Sequence, residues 1–154
     1  AVKRKLKLPN TDEGIDLIAE QIRSAANYTL NLKQKDIKFV GHSIECRINA
    51  EDPKTQRPSP GKIVHYHRPA GLGVRVDDFI YSGYHVSPFY DSMLAKIIVT
   101  GIDRNECLLR MKRALDETVI EGITTNRDLH LSIISHKDFI GNNYATNFLQ
   151  VKIL

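Results

Sequence analysis

Gly41-His-Ser-Ile-Glu-Cys-Arg-Ile-Asn-Ala-Glu-Asp-Pro53 is the stretch on which the fold turns. Within it Ile44, Cys46, Ile48 and Ala50 alternate with Glu45, Arg47 and Asn49. A period of two describes a strand with one buried and one polar face. Pro53, Pro58, Pro60 and Gly61 follow, and a segment so broken sustains neither strand nor helix, so a structured loop is expected. Further extended segments read at 62–67, 73–80 and 93–100. The last is almost continuously apolar (Met93, Leu94, Ala95, Ile97, Ile98, Val99), as a central strand would be. Residues 81–91, rich in Gly, Ser, Pro and aromatics, read as an ordered loop.

The helical segments flank these strands. Residues 103–117 carry Leu108, Met111 and Leu115 as an apolar stripe with Ala114 beside it, and Asp103 with Glu106 forms an Asp version of the capping box. A strand at 118–123 leads into Thr124-Thr125-Asn126, a second N-cap, and a helix to about His136 with Leu129, Ile133 and Ile134 inward. Upstream, residues 11–27 place Ile15, Ile18, Ile22 and Ala25/Ala26 at three- and four-residue steps, with Thr11 or Asp12 to cap the orphan amides. No regular βαβ rhythm appears, so the expected fold class is α+β: a mostly antiparallel sheet with covering helices.

Composition narrows the function classes. The chain has 154 residues, 42% hydrophobic and 26% charged, which suits one globular domain with or without part of a neighbour. No apolar run approaches a membrane span. The net charge is +4, but Lys3, Arg4, Lys5 and Lys7 supply all of it, since the other 18 cations face 18 acids. A nucleic-acid binder carries its basic face on the folded body, so no nucleic-acid partner is expected and residues 1–10 read as a mobile basic leader. Two cysteines, Cys46 and Cys107, make no disulfide framework and match no metal-ligand spacing, which points to a reducing, cytoplasmic setting.

Two constellations could carry chemistry. His65-Tyr66-His67 puts two imidazoles on one strand face, but no third ligand is marked, so a surface pair on an edge strand is the plainer reading and no metal is expected. Gly71-Leu72-Gly73 ahead of Val74-Arg75-Val76-Asp77 is more suggestive. The glycines let a ligand approach the backbone, and the Arg75 guanidinium suits an oxyanion or a charge that develops in a transition state. Asp77 shares the face of Arg75, so a structural ion pair explains the same residues.

Several blocks together are recognisable. The Gly41 to Pro53 stretch, Pro58-Ser-Pro-Gly61, Gly73-Val-Arg-Val-Asp77, Tyr90-Asp-Ser-Met-Leu-Ala-Lys96, Arg110-Met-Lys-Arg-Ala-Leu115, Gly122-Ile-Thr-Thr-Asn126 and Thr146-Asn-Phe-Leu149 stand in the order and spacing of the biotin carboxylase family. The chain closely resembles that family from Gly14 to about Gln150, and the bacterial acetyl-CoA carboxylase type most. The resemblance implies three parts: a non-matching leader at 1–10, the tail of an ATP-grasp body at 11–40, and a biotin carboxylase C-terminal domain at 41–154.

It also implies a function for the full-length enzyme: ATP- and bicarbonate-dependent carboxylation of carrier-bound biotin, with ATP, Mg2+ and biotin as its ligands. Homodimerisation, a biotin carboxyl carrier protein and carboxyltransferase subunits are the implied partners. Arg75 falls on the family arginine that contacts the biotin ureido oxygen, and would be both catalytic and biotin-binding. Phe148 falls on the apolar position that closes over adenine, although a C-terminal core anchor explains it equally well. Arg104 and Glu121 lie near the implied dimer surface. The metal carboxylates and nucleotide-gripping lysines of the family would lie upstream, so the chain is expected to be a fragment that is inactive alone and holds no cofactor. The alternatives are the biotin carboxylase part of a pyruvate or propionyl-CoA carboxylase, and a non-catalytic docking module.

Overall fold

The computed structural model describes residues 6–7, 15–30 and 32–153. Among these residues nine strands and five α-helices follow in the order β1 (Leu6–Lys7), α1 (Leu17–Ala25), β2 (Lys38–Phe39), β3 (His42–Asn49), β4 (Gly61–Lys62), β5 (His65–His67), β6 (Val74–Asp78), β7 (His85–Val86), β8 (Met93–Gly101), α2 (Arg104–Glu117), β9 (Val119–Glu121), α3 (Arg127–Ser135), α4 (Lys137–Ile140) and α5 (Phe148–Lys152). Every described strand pair is antiparallel. The fold is α+β with antiparallel sheets and helices, as the alternating pattern of β3 and the lack of a βαβ rhythm require.

The principal sheet has the order β3-β8-β6. Its central strand, β8, is the nearly continuous apolar run, because both of its faces are covered over part of its length. On one face Cys46, Ile48, Val76, Ala95, Ile97 and Val99 meet Cys107, Leu108, Met111, Ala114 and Leu115 of α2, with Ile134 of α3 closing the cluster. On the other face Leu94 joins a second cluster with Ala50, Ile63, Ile80 and Val86, contributed by the loop-rich middle of the chain.

Helix α2 begins with one half of the expected capping box, while the Glu106 carboxylate reaches one residue beyond the N-cap. The Glu106 amide donates to Asp103 Oδ1 at 2.9 Å, and the Glu106 carboxylate accepts from the Ile102 amide. Helix α1 is shorter than its periodicity suggests: Asp16 caps it by accepting from the Ala19 amide at 3.1 Å. Thr11 and Asp12, the expected caps, lie outside the described residues. The Ile18 and Ile22 side chains of α1 are about two-thirds exposed, and of the expected stripe Ile15, just before the helix, is buried.

Three expectations need correction. Leu6–Lys7 is not a free leader, since it pairs with Lys38–Phe39 through backbone bonds that need no apolar face. In α3 Ile134 is buried in the core as expected, but the second residue packed against that core is half-buried Leu131, and Leu129 and Ile133, also half-buried, are not part of it. The strand expected at 118–123 is confined to Val119–Glu121, because Thr118 is used to end α2: its amide and hydroxyl both bond to the Ala114 carbonyl.

Candidate functional site

The open part of the principal sheet carries the charge. Antiparallel register sets Glu45, Ile98 and Arg75 in one row and Arg47, Lys96 and Asp77 in the next, all on the face opposite α2. Three cations and two carboxylates therefore share this face around Ile98, which is buried. Arg75 is 61% exposed, and Asp77 42%. The Arg75 Nε donates to Asp77 Oδ1 at 2.7 Å and its Nη2 donates to Oδ2 at 2.8 Å, a side-on bidentate pair. Hydrogen bonding to Arg75 holds the Asp77 carboxyl below its usual range; burial opposes it, and the charges of Arg75 and Lys96 add smaller effects in the lowering direction. Arg47 and Glu45 pair through a single contact, Arg47 Nε donating to Glu45 Oε1 at 3.3 Å.

The glycines before Arg75 do not open the backbone to a ligand. Gly73 has φ +71°, and a Cβ there would lie 2.5 Å from Arg110 Nη1 and 2.7 Å from the Thr100 carbonyl oxygen. A Cβ at Gly71 would meet the Arg113 guanidinium at 3.1 Å. The glycines are thus required by the close approach of two α2 arginines. Arg110 completes that contact by donating to the Thr100 carbonyl and pairing with Glu106 at 2.6 Å. The sequence could not show this, because the arginines lie some forty residues away.

Asp78, next in the chain, has a different task. It points to the other side of β6, accepts a hydrogen bond from the Tyr66 hydroxyl and lies 3.7 Å from Arg68. Arg68 in turn donates to the Val76 carbonyl at 2.7 Å and closes the free edge of β6. Burial, then the bond to Asp78, push the Tyr66 hydroxyl well above its usual pKa, so it stays a donor.

Asn126 is the residue whose role sequence reasoning missed. It occupies the N-cap position of α3 but makes no capping bond. Its Oδ1 instead accepts from the Asn49 amide at 2.9 Å, and its Nδ2 donates to the Arg47 carbonyl at 3.1 Å. His130, one turn on, donates from Nε2 to the same carbonyl at 2.8 Å. Burial lowers the His130 pKa, and the bond to Arg47 opposes that only partly. The block containing Thr124-Thr125-Asn126 is thus a clamp on the end of β3, and it fixes the backbone from which Arg47 projects.

Phe148 sits away from the charged face. It opens α5, is 8% exposed, and packs edge-on to His136 at 5.2 Å and to Tyr144 at 5.8 Å, with the Phe139 ring tilted against it at 6.3 Å. Arg104 lies over the Phe139 ring at 4.9 Å and over Tyr144 at 5.8 Å. The Phe148 ring is therefore engaged within the fold on several sides, and it shares no partner with Arg75. His65 and His67 are both exposed on β5, opposite Glu121 and Val119. Among the described residues no three His, Cys, Asp or Glu side chains come together, so the Mg2+ that the resemblance implies finds no ligand set here. Burial, with Glu45 nearby, pushes the Cys46 thiol up to about 12, which makes it an inert core group.

The model of the biotin carboxylase C-terminal domain matches residues 45–151. The chain belongs to the biotin carboxylase C-terminal domain family. Biotin carboxylase 1 of Bacillus subtilis is 53% identical over 138 residues, which is 89% of this chain and 31% of that protein. The crystal structure of the biotin carboxylase–β,γ-ATP complex from Campylobacter jejuni superposes with a TM-score of 0.77 at 51% identity, over 88% of this chain and 30% of that one. The biotin carboxylase domain dimer of Hydrogenobacter thermophilus 2-oxoglutarate carboxylase, with MgADP and bicarbonate, gives a TM-score of 0.78 at 42% identity over 88% of this chain and 30% of that one. The chain thus spans about a third of the length of these biotin carboxylases. Among the described residues no helix is long and apolar enough to cross a membrane.

Proposed function

We propose that this chain forms the biotin-side wall of a biotin carboxylase, in which ATP and bicarbonate drive carboxylation of the ureido N1′ of carrier-bound biotin. The observation that carries this reading is Arg75: an exposed guanidinium on an open, net-cationic sheet face, in a chain of the biotin carboxylase family. Removing the N1′ proton puts negative charge on the ureido oxygen. A planar fork of N–H donors stabilises that charge better than a point cation does. ATP and Mg2+ belong, in this reading, to other parts of the enzyme, and the 154 residues alone turn over no ATP.

The setting proposed is acetyl-CoA carboxylase, with a homodimer, a biotin carboxyl carrier protein and carboxyltransferase subunits as partners, in the cytoplasm. Similarity to a 2-oxoglutarate carboxylase favours a second setting, a keto-acid or other acyl-CoA carboxylase such as those for pyruvate or propionyl-CoA. Both settings share the biotin half-reaction. Co-purification of the carboxyltransferase separates them.

The test is Arg75→Ala in the full-length enzyme. Turnover of biotin should fall on the order of 10²-fold, as for a lost oxyanion donor, while nucleotide affinity and melting temperature stay near wild type. Normal turnover in Arg75→Ala would remove the catalytic assignment. Bicarbonate-dependent ATP hydrolysis by the 154 residues alone would show that the nucleotide site has been misplaced.

A further inference from the structure

The Arg75–Asp77 pair can be read as structural or as catalytic, but its geometry joins the two readings. A guanidinium has five N–H donors in a plane. Asp77 occupies one from Nε and one from Nη2, the side-on fork. The end-on edge, formed by Nη1 and the second Nη2 hydrogen, is left for a ligand. A carboxylate that takes the side-on fork fixes the plane and direction of that edge, which a freely rotating arginine on an exposed strand would not hold.

Such a clamp has an electrostatic cost, because Asp77 offsets the positive charge that a developing anion needs. Lys96 stands directly across the ladder from Asp77, with Arg47 on its far side. Opposed residues of an antiparallel pair have Cβ atoms about 4.5–5.5 Å apart, close enough for Lys96 to act on the Asp77 carboxylate. Arg47 is engaged with Glu45, and Arg75 with Asp77. Lys96 is therefore the cation of this face that leaves it net positive.

We propose that Asp77 and Lys96 are positioning residues for Arg75: Asp77 aims the end-on edge of the guanidinium at the ureido oxygen of biotin, and Lys96 offsets the charge of Asp77. The inference rests on the proposed role of Arg75 and adds to it the residues that make that role work. Neither Asp77 nor Lys96 touches the substrate. Both act through Arg75, so their effects must vanish when Arg75 is gone.

The experiment is a mutant cycle in the full-length enzyme, with biotin-dependent turnover, bicarbonate-dependent ATP hydrolysis without biotin, and melting temperature measured on every variant. Asp77→Asn keeps the shape but loses the anionic clamp, and should lower biotin turnover about tenfold. ATP hydrolysis without biotin and melting temperature should hold. Lys96→Met should give a smaller fall, Lys96→Arg should restore turnover, and Lys96→Met should add nothing in an Asp77→Asn background. In an Arg75→Ala background both substitutions should be silent.

Normal turnover in Asp77→Asn beside impaired turnover in Arg75→Ala would overturn the positioning role and leave Arg75 standing. An equal loss from Asp77→Asn with and without Arg75 would overturn it too, as would a lowered melting temperature with unchanged turnover of the folded enzyme. Normal turnover in Arg75→Ala would instead overturn the reading beneath it.

Discussion

The two faces of the β3-β8-β6 sheet are made from alternate residues of the same strands, yet they obey opposite rules. Toward α2, Cys46, Ile48, Val76, Ile97 and Val99 are each at most 5% exposed and join the core cluster. Away from α2, Glu45 pairs with Arg47 and Asp77 with Arg75 in water, where screening keeps such pairs weak, and Lys96 adds a further cation. The period of two lets a single strand supply stability on one side and chemistry on the other without either compromising the other. Adjacent Asp77 and Asp78 make the point in two residues. One aims an exposed arginine, and the other anchors Tyr66 and Arg68 at the sheet edge.

Substitutions on each face should therefore fail differently. The largest effect belongs to the α2 side. Leu115→Ala removes a side chain with no exposure at the centre of the cluster, and should cost about 2–5 kcal/mol in denaturant unfolding. Biotin turnover per folded enzyme should hold. A comparable loss of turnover at full folding would show that the two faces are not separable.

A smaller effect is expected at the clamp that joins them. Asn126→Ala strips the Asn49 amide of its partner and takes one of two donors from the Arg47 carbonyl. Leaving such groups unsatisfied should cost about 1–3 kcal/mol. Because the clamp holds the backbone of Arg47, part of the effect should also appear in turnover. A variant as stable as wild type would mean that water replaces the clamp without loss.

The smallest effect is pH-dependent and belongs to His130. Its pKa in the folded protein lies below the ordinary value of about 6.5, because burial favours the neutral ring. The unfolded chain then binds more protons than the folded one at acid pH. The contribution of His130 is complete above about pH 6.5, declines as pH falls below that, and levels off below the folded pKa. His130→Gln should flatten this part of the stability profile measured between pH 7 and 5. An unchanged acid slope would assign it to other groups.

How much of this was legible in advance depends on the distance over which each feature is encoded. The alternation at 44–50, the apolar run of β8 and the Asp103–Glu106 cap are local, and each is found where its pattern puts it. Gly73 was misread because its cause is Arg110, and Asn126 because its cause is the backbone of β3. The ladder at Leu6–Lys7 was missed for the same reason, since its partner strand lies some thirty residues on.

The sequence by itself determined the α+β class, the polarity of each strand face and, through its ordered blocks, the biotin carboxylase family. Those follow from periodicity and from residue identity, which need no third dimension. Only the tertiary structure decided what each functional side chain touches. Strand register set Lys96 opposite Asp77, the approach of α2 reserved Gly73 for Arg110, and the packing of α3–α5 enclosed Phe148. Contacts between residues far apart in the chain are fixed by how the elements dock, and no local pattern encodes that docking.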